Sequence, residues 1–330
     1  MRVLVTGATG FVGGRLVPAL LNAGHDVTVL VRDASRYDAP PEVRVVEGDL
    51  LEPGSFESAL DVDAAYYLVH SMRSGADFEE RDRRAARSFA DAASEHGVER
   101  VVYLGGLGEE RDRLSEHLRS RREVENILGE GEYALTTLRA AILIGAGSAS
   151  FDMIKQLASR LPVMVTPRWV ETKCQPIFVD DAIAYLVGVL DVPETADETY
   201  EIGGPDVLTY REILIRVGRQ RGRAPTIVPV PILSPKLSSL WIGLVTDVPA
   251  PVARPLIEGL KNPVVVRDHR IESLVDVDLT PFDEAIRKAL QAEATTREGR
   301  GGAAVAGDEG ETPTADGGTV SDPTVRPLDR

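Results

Sequence analysis

Short continuous apolar runs alternate with helical stretches over the first 145 residues of the 330-residue chain. Apolar runs without polar alternation are typical of strands that are covered on both faces, and helices between such strands give a parallel, doubly wound sheet. The pattern therefore predicts an α/β Rossmann domain over residues 1–148. Its strands are predicted at residues 2–6, 26–32, 43–48, 64–69, 100–105 and 136–145.

Helical stretches separate most of these runs. The clearest extends from Asp77 to His96, and Gly97 ends it because glycine readily adopts the left-handed backbone that closes a helix. Pro18 falls inside the first predicted helix, where it removes a hydrogen bond and kinks the axis. A helix is predicted there nonetheless.

The rhythm changes after residue 148, and residues 149–291 are predicted to form a smaller C-terminal substrate or partner domain. Strands near residues 176–204 are predicted to return to the Rossmann sheet. A helix is then expected over residues 208–222, with Thr209 as its N-cap and Glu212 completing a capping box three residues later.

Two later segments have unusual composition. Residues 225–265 are rich in proline and large apolar residues, which fits either packing in the small domain or an apolar cover or protein-partner surface over the cofactor. Residues 292–330 contain no aromatic side chain and consist mostly of Gly, Ala, Thr, Pro and acidic residues. Such a segment cannot bury enough apolar area to offset its ordering entropy, so a disordered acidic tail is predicted.

The chain is strongly acidic, with a formal net charge of −15, and only five of its 37 basic residues are lysines. This bias fits a salt-rich, halophilic cytoplasm, or a GC-rich genome that replaces lysine by arginine. The charge argues against nucleic acids and acidic membrane surfaces as partners. Cys174 is the single cysteine, and neither a signal peptide nor an apolar run of about 18 residues is present. A cytoplasmic protein without a membrane span is expected.

The segment TGATGFVG stands where the first strand meets the first helix. Gly7 permits the tight turn, Gly10 lets backbone N–H groups approach a pyrophosphate, and Gly13 lets the helix pack closely on the sheet. The helix N-terminus adds partial positive charge for the phosphates. The segment therefore predicts a dinucleotide site with contacts from Thr6, Gly7, Thr9, Gly10, Phe11, Val12 and Gly13.

The end of the second strand bears on the choice between NADP(H) and NAD(H). Arg32 ends this strand, and a guanidinium matches a 2′-phosphate, so NADP(H) is preferred. Asp33 follows directly and is able to bond the ribose hydroxyls instead, which keeps NAD(H) as an alternative. Arg15, in the first helix, is assigned either to the 2′-phosphate or to the solvated surface.

Two further strand ends supply predicted contacts. Asp49 and Leu50 close the third strand, and Asp49 either bonds an adenine amino group or shapes a turn. Val69 and His70 end the fourth strand, where His70 and Ser71 either contact cofactor and substrate or pack within the loop. No cluster of His, Cys or acidic residues has metal-ligand spacing, so no metal is predicted.

In their order, these motifs resemble those of the atypical, extended-type short-chain dehydrogenase/reductases, in the branch of NmrA-like proteins and relatives of the complex I accessory NAD(P)H-binding subunit. The resemblance covers residues 1–290 and is more specific for the fold and nucleotide binding than for the reaction. It is carried by the segments TGATGFVG, VRD, GDLLEP, YYLVHS, GVERVVYLGGLG, SEHLRSRREVE, CQPIFVDDAIAYLV and ETYEIGGPDVLTYREIL.

The resemblance implies a serine after the fifth strand, and a tyrosine and a lysine four residues apart on one helix. In this chain the serine position falls on Gly105 or Gly106, the tyrosine position on His117 and the lysine position on Arg121. Arg121 keeps a cation for the nicotinamide ribose. His117 is either a proton donor, with an ordinary pKa of about 6.5, or a helix-surface or pocket-lining residue. Tyr103, inside the fifth strand, is assigned to the core.

Three functions are consistent with the sequence. The preferred one is an NADPH-dependent reductase of a hydrophobic carbonyl, enone or quinone-like substrate, in which solvent or His117 supplies the proton. The apolar segment 225–265 motivates the hydrophobic substrate. The alternatives are a non-catalytic NAD(P)H sensor, which the replaced triad motivates, and an accessory or assembly subunit of a respiratory-type complex.

Overall fold

A parallel sheet forms the centre of the computed structural model, which describes residues 1–70, 77–108, 116–160, 163–166, 168–229 and 260–305. In chain order the strands are β1 (Arg2–Thr6), β2 (Asp26–Val31), β3 (Arg44–Glu47), β4 (Ala64–Tyr67), β5 (Arg100–Gly106), β6 (Ala134–Ala140), β7 (Leu143–Ile144), β8 (Val163–Thr166), β9 (Lys173–Cys174), β10 (Ile177–Phe178), β11 (Thr199–Ile202), β12 (Leu208–Thr209) and β13 (Thr226–Pro229). The helices are α1 (Gly13–Asn22), α2 (Phe78–Glu95), α3 (Glu116–Leu128), α4 (Ala149–Arg160), α5 (Val179–Asp191), α6 (Tyr210–Gln220) and α7 (Phe282–Val305).

The main sheet has seven strands in the order β11-β6-β5-β4-β1-β2-β3, and every neighbouring pair is parallel. The order changes direction between β1 and β4, which is the switch point of a doubly wound fold. The predicted Rossmann architecture is therefore confirmed. Open sheets of this kind bind ligands outside the carboxyl ends of the strands at the switch point, so the site is expected there.

The first strand shows why a continuous apolar run predicts a strand that is covered on both faces. Val3, Leu4 and Val5 are all fully buried. Leu4 belongs to the core cluster that includes the buried face of α2, whereas Val3 and Val5 belong to the cluster that includes α1 and α5. The second cluster is also tied by the Tyr66 hydroxyl of β4, which donates to the Leu186 carbonyl of α5 at 2.6 Å.

Two predicted helices of the N-terminal half are confirmed. The helix α2 differs by one residue at each end from the prediction, and the Gly97 that follows it has a φ of 68°. The helix α1 contains Pro18, as expected. The carbonyl that lacks a proline N–H partner belongs to Gly14, four residues earlier, and Gly14 is exposed. Water can therefore satisfy this carbonyl.

The prediction of a single strand over residues 136–145 is wrong. The strand β6 ends at Ala140, and β7 pairs with β10 in a separate two-stranded sheet. The chain turns away after β6, where the Ile142 carbonyl accepts a hydrogen bond from the Ile177 N–H at 3.0 Å. Both halves are apolar because both are buried, and hydrophobicity alone does not reveal that a buried segment changes its partner.

The strands predicted to return to the main sheet from residues 176–204 are β10 and β11. The strand β11 pairs with β6 in the main sheet, whereas β10 pairs with β7 in the separate two-stranded sheet, so only β11 makes the predicted return. The capping box of α6 is also confirmed: the Thr209 hydroxyl accepts from the Glu212 N–H at 3.2 Å, and the Glu212 carboxylate accepts from the Thr209 N–H at 2.7 Å.

The last helix, α7, extends beyond the residue at which the tail is predicted to begin. It includes residues 292–305, so the tail prediction is corrected for this part of the chain. Residues 291–298 are rich in Ala, Glu, Gln and Arg, which propagate a helix that is already anchored, even without apolar surface. One anchor is the ion pair between Lys155 of α4 and Glu293. Residues 306–330 of the predicted tail, and residues 230–259 of the apolar segment, lie outside the described residues.

Candidate dinucleotide and substrate site

A cavity of about 850 Å³ opens at the carboxyl ends of β1, β2, β4 and β5, next to the N-terminus of α1. All the residues predicted to contact the cofactor line this cavity. They are Thr6, Gly7, Thr9, Gly10, Phe11, Val12, Gly13, Arg32, Asp49, Leu50, Val69, His70 and Arg121. The fold therefore brings together residues from five separate segments of the sequence, and their contacts with a cofactor stay a prediction.

The glycine-rich turn has the shape of a cradle for phosphate groups. Gly7 has a φ of 72°, which side chains other than glycine rarely adopt, and a Cβ there would lie 2.9 Å from the Leu68 carbonyl oxygen. A Cβ at Gly13 would overlap the Gly7 carbonyl oxygen and approach the Ala8 Cα to 2.8 Å. The turn therefore requires glycine at both positions, and the geometry fits a dinucleotide pyrophosphate at the start of α1.

Arg15 is held between two backbone carbonyl groups. Its Nη1 donates to the Phe11 carbonyl at 2.8 Å, its Nη2 donates to the Ala146 carbonyl at 2.7 Å, and its guanidinium lies 4.5 Å from the centre of the Phe11 ring. Burial lowers the pKa of this guanidinium. Arg15 therefore ties the glycine-rich turn to the loop that follows β7 and is not a solvated surface charge. It also lines the cavity, so its contact with a 2′-phosphate stays a prediction.

The two residues that bear on the choice between NADP(H) and NAD(H) have different surroundings. Arg32 is exposed at the end of β2 and lines the cavity. Asp33 instead caps the short 3-10 helix at residues 34–36. Its carboxylate accepts from the Ser35 N–H at 3.1 Å and pairs with the Arg36 Nε at 3.0 Å. The guanidinium of Arg32 thus faces the cavity, while the Asp33 carboxylate is bound within its own turn.

The ends of β3 and β4 contribute the remaining predicted cofactor residues. The Asp49 carboxylate accepts from the Leu51 N–H at 2.9 Å, so it has the turn-shaping role that was one of its two predicted alternatives. His70 is exposed at the edge of the cavity. Ser71, which follows it, lies outside the described residues.

The predicted catalytic positions lie where β5 and α3 meet the cavity. Gly105, Gly106 and Arg121 line it, and a Cβ at Gly106 would lie 2.8 Å from the Leu118 Cδ2. Position 117 belongs to α3, and the side chain of His117 lies outside the described part of the chain. Arg121 therefore lines the same cavity as Gly105 and Gly106, the two positions to which the family's serine was assigned.

Tyr103 lies in the core, as expected. It is fully buried, and its hydroxyl donates to the Arg121 carbonyl at 3.1 Å. Burial raises the pKa of its phenol. Tyr67, on the neighbouring strand, is also fully buried, and burial raises the pKa of that phenol well above its ordinary value. Neither tyrosine is therefore poised to exchange a proton near neutral pH.

The far wall of the cavity comes from the C-terminal part of the chain and is largely apolar. Trp169 and Tyr210 meet edge to face there, with ring centres 6.1 Å apart. The apolar residues of this wall are Met153, Ile154, Leu157, Trp169, Tyr210, Leu214, Leu260 and Val264. One continuous cavity therefore joins the glycine-rich turn to an apolar surface.

Arg81 is a cavity-lining residue that the sequence reasoning missed. It lies on α2 between Phe78 and Ala85, at the helical spacing of the buried stripe. A cation at this spacing within an apolar stripe is the signal that sequence reasoning could have used. Within the ranges described, no group of three His, Cys, Asp or Glu residues is arranged to hold a metal ion, and no helix is long and apolar enough to cross a membrane.

Residues 7–144 match a family described as NAD(P)H-binding. The chain thus resembles the atypical short-chain dehydrogenase/reductases in its NAD(P)H-binding part. It is 27% identical over 299 residues to the protein named NADH dehydrogenase [ubiquinone] 1 alpha subcomplex subunit 9, mitochondrial, from Arabidopsis thaliana, covering 84% of the chain and 73% of the relative. It is 28% identical over 235 residues to Ceramide reductase from Caulobacter vibrioides, covering 69% of the chain and 73% of that protein.

Solved structures support the Rossmann fold of the chain. A nucleoside-diphosphate-sugar epimerase from Staphylococcus aureus superposes with a TM-score of 0.70 at 14% identity, covering 87% of the chain and 99% of the epimerase. Relatives named as reductases, together with the NAD(P)H-binding match, support an NAD(P)-dependent enzyme of the oxidoreductase type.

Proposed function

We propose that the protein is an NADPH-dependent reductase of a hydrophobic carbonyl, enone or quinone-like substrate. The observation that carries this proposal is the single cavity that runs from the glycine-rich turn to the apolar wall around Trp169 and Leu214. A dinucleotide at the turn would share this cavity with an apolar substrate. Direct transfer between two bound molecules requires such a shared, partly enclosed space.

The preference for NADPH rests on the contrast between Arg32 and Asp33. Arg32 lines the cavity and carries a guanidinium suited to a phosphate. The carboxylate of Asp33, the residue that would favour NAD(H), accepts a hydrogen bond from the Ser35 N–H and pairs with Arg36. Arg121 lines the other half of the cavity, at the position from which the family's lysine holds the nicotinamide ribose.

When bound, the reduced nicotinamide supplies a hydride. The chain's own contribution is to hold the cofactor at the α1 N-terminus, to bury the substrate against the apolar wall, and to leave proton delivery to water or to His117. The buried phenols of Tyr67 and Tyr103 take no part, because burial raises the pKa of both. This arrangement favours acceptors whose reduced form is a delocalised anion, such as enones and quinones, since water protonates these without a strong acid.

The cofactor assignment is tested by titrating the purified protein with NADPH and with NADH. Arg32→Gln is expected to weaken NADPH binding by at least about tenfold, the effect of losing a charge-assisted hydrogen bond, and to leave NADH affinity unchanged. Arg44→Gln is the matched control, because Arg44 is an exposed arginine of the neighbouring strand outside the cavity. Equal weakening of NADPH and NADH by Arg32→Gln would refute the role of Arg32.

Turnover is tested by following NADPH oxidation with a panel of quinones, enones and saturated ketones. We expect consumption of NADPH with conjugated acceptors. His117→Ala then decides the proton source: lower turnover at unchanged NADPH affinity assigns the proton to His117, and unchanged turnover assigns it to water. Tight NADPH binding with no consumption by any acceptor would exclude the reductase in favour of a nucleotide sensor.

A second candidate is an accessory subunit of a respiratory-type complex. The observation in its favour is the Arabidopsis relative, which is named as a subunit of NADH dehydrogenase and aligns with 84% of the chain. In that case the protein from its native membrane extract would migrate with a large complex, and the free protein would bind NADPH without turnover.

A further inference from the structure

We propose that the substrate carries an anionic group, a carboxylate or a phosphate, which binds between Arg81 and Arg121, while its apolar body lies against the wall formed by residues such as Leu157 and Trp169. The proposal deepens the proposed function, since it assumes that the substrate occupies the apolar half of the cavity. It assigns Arg81 a ligand that neither the sequence motif nor the cofactor explains.

The helices α2 and α3 bring the two arginines to the same cavity. They pack side by side, and the Nη1 of Arg83 on α2 lies 2.8 Å from the carboxylate of Glu123 on α3. Arg81 and Arg121 come from the same two helices, and both line the cavity. Two cationic residues from neighbouring helices therefore border one space.

Arg81 lacks a hydrogen-bond partner at a buried atom. Its Nε is buried and has no acceptor among the described residues, whereas Arg83, two residues later, is paired with Glu80 and Glu123. A guanidinium N–H that is withdrawn from water without an acceptor is unfavourable. A ligand with acceptor oxygens would supply the missing bond, and Arg binds planar oxyanions through paired hydrogen bonds.

Arg121 places a second charge beside the buried rings. Burial raises the pKa of Tyr67 and of Tyr103, and the positive charge of Arg121 opposes that rise in both. The hydrogen bond described for Arg121 is made by its carbonyl, which accepts from the Tyr103 hydroxyl. Its charge thus lies close enough to both phenols to act on their pKa values, and Arg121 also lines the cavity.

Two carboxylates that act on the Tyr103 phenol, those of Glu125 and Asp82, have partners outside the cavity. Glu125 accepts from the Arg139 Nε at 3.2 Å and is also close to Arg122. The Asp82 carboxylate faces the Ser120 hydroxyl at 3.5 Å. These groups balance charge within the α2–α3 layer. They do not line the cavity.

The charge of the cavity is opposite to that of the chain. Among the described residues that line it, Asp49 is the one carboxylate, against the guanidinium groups of Arg15, Arg32, Arg81 and Arg121. The whole chain, in contrast, has a formal net charge of −15. A concave site of one sign concentrates ligands of the other sign, so the cavity selects anions.

The cofactor does not account for all of this positive charge. Its pyrophosphate is expected at the start of α1, and Arg32 is assigned to the 2′-phosphate. Arg15 already donates to two carbonyl groups. Arg81 and Arg121 lie on the other side of the switch point, where the nicotinamide ribose is uncharged. Their charges are therefore available to an anion on the substrate.

The test compares acids with their uncharged amides as ligands, by calorimetric titration of the NADPH-loaded and cofactor-free protein. The probe pairs are octanoate with octanamide and 3-phenylpropionate with its amide, and inorganic phosphate is titrated separately. In the wild-type protein we expect at least one acid to bind about tenfold tighter than its amide, as a charge-assisted contact provides.

Three variants locate the effect. Arg81→Gln is expected to abolish the preference for the acid while the affinities for the amide and for NADPH stay unchanged. Arg81→Lys retains the charge and keeps part of the preference. Arg84→Gln is the matched control, since Arg84 is exposed on the same helix and does not line the cavity, and it should leave the preference intact.

The outcomes distinguish a carboxylate from a phosphate, and they distinguish failure of this inference from failure of the proposed reductase function. Acid preference that depends on Arg81 supports a carboxylate, and Arg81-dependent phosphate binding without acid preference supports a phosphate. Equal binding of acid and amide without Arg81-dependent phosphate binding, or a preference that survives Arg81→Gln, would overturn the inference. So would Arg81→Gln weakening NADPH alone, because Arg81 would then be a cofactor contact. Binding is measured without turnover, so failure of the reductase proposal shows separately as absent NADPH oxidation.

Discussion

Substituting Gly13 by alanine tests whether the close contact between α1 and the glycine-rich turn sets both stability and cofactor binding. An added Cβ at this position overlaps the Gly7 carbonyl oxygen, and lies 2.8 Å from the Ala8 Cα and 2.9 Å from the Gly7 carbonyl carbon. All three neighbours are backbone atoms. Relief therefore requires movement of α1 or of the turn, and rotation of a side chain cannot provide it.

The magnitude follows from this backbone clash. Overpacking in a tight interior costs about 1–3 kcal/mol, and the upper part of that range applies here because no flexible side chain yields. We expect Gly13→Ala to lower the free energy of unfolding by about 2–3 kcal/mol. Displacement of the turn also moves the N–H groups that bind the pyrophosphate, so NADPH affinity should fall by at least about tenfold.

Gly14→Ala is the matched control. Gly14 is exposed, and a Cβ there would lie 3.6 Å from the Ala8 carbonyl oxygen, an ordinary contact. Alanine in a helix is more stable than glycine by about 0.5–1 kcal/mol, so this variant should be slightly more stable than the wild type. Urea denaturation and NADPH titration measure both effects. If Gly13→Ala matched the wild type in both assays, the close packing of α1 on the turn would be refuted.

Three further changes probe other parts of the chain. Thr209→Ala removes the Thr209–Glu212 capping box and should cost about 1 kcal/mol in urea denaturation, and an unchanged midpoint would contradict the role of the cap. Burial raises the pKa of the Cys174 thiol to about 12, so Ellman's reagent at about pH 8 should label the unfolded protein and spare the native one. Hydrogen bonds from the Arg2 N–H and side chain hold the pKa of Asp63 below its ordinary value. That stabilisation is present above about pH 4 and is lost as the pH falls through the lower folded pKa, so Asp63→Asn should flatten the acid limb of the stability curve, whereas Asp61→Asn should change it less.

The main sheet could be predicted because each of its strands carries its own signal. In β1, Val3, Leu4 and Val5 are apolar in succession because both faces are covered, and the glycine-rich turn fixes where the strand ends. The capping box at Thr209 is similarly local, since both of its partners lie within one helical turn. Signals of this kind depend on neighbours in sequence, so they can be recognised without knowledge of the tertiary structure.

The features that escaped prediction depend on partners distant in sequence. The hydrogen bond from Arg15 to the Ala146 carbonyl was not predicted, because the two residues are 131 positions apart. The division between β6 and β7 depends on Ile177, whose N–H donates a hydrogen bond to the Ile142 carbonyl. Helix α7 persists past residue 292 where Lys155 pairs with Glu293. Such pairings are set by tertiary packing, which composition and periodicity do not encode.

Under the proposed function, the predicted replacement of the triad and the cationic cavity together limit the classes of acceptor that the enzyme can reduce. Reduction of a saturated ketone generates a localised alkoxide, which needs an acid in the transition state. The nearest described phenols, Tyr67 and Tyr103, are buried with raised pKa values and cannot fill that role. A conjugated acceptor disperses the developing charge, so water can protonate it without a strong acid. A conjugated substrate with an anionic group would therefore suit both the predicted loss of the phenol and the guanidinium groups that line the cavity.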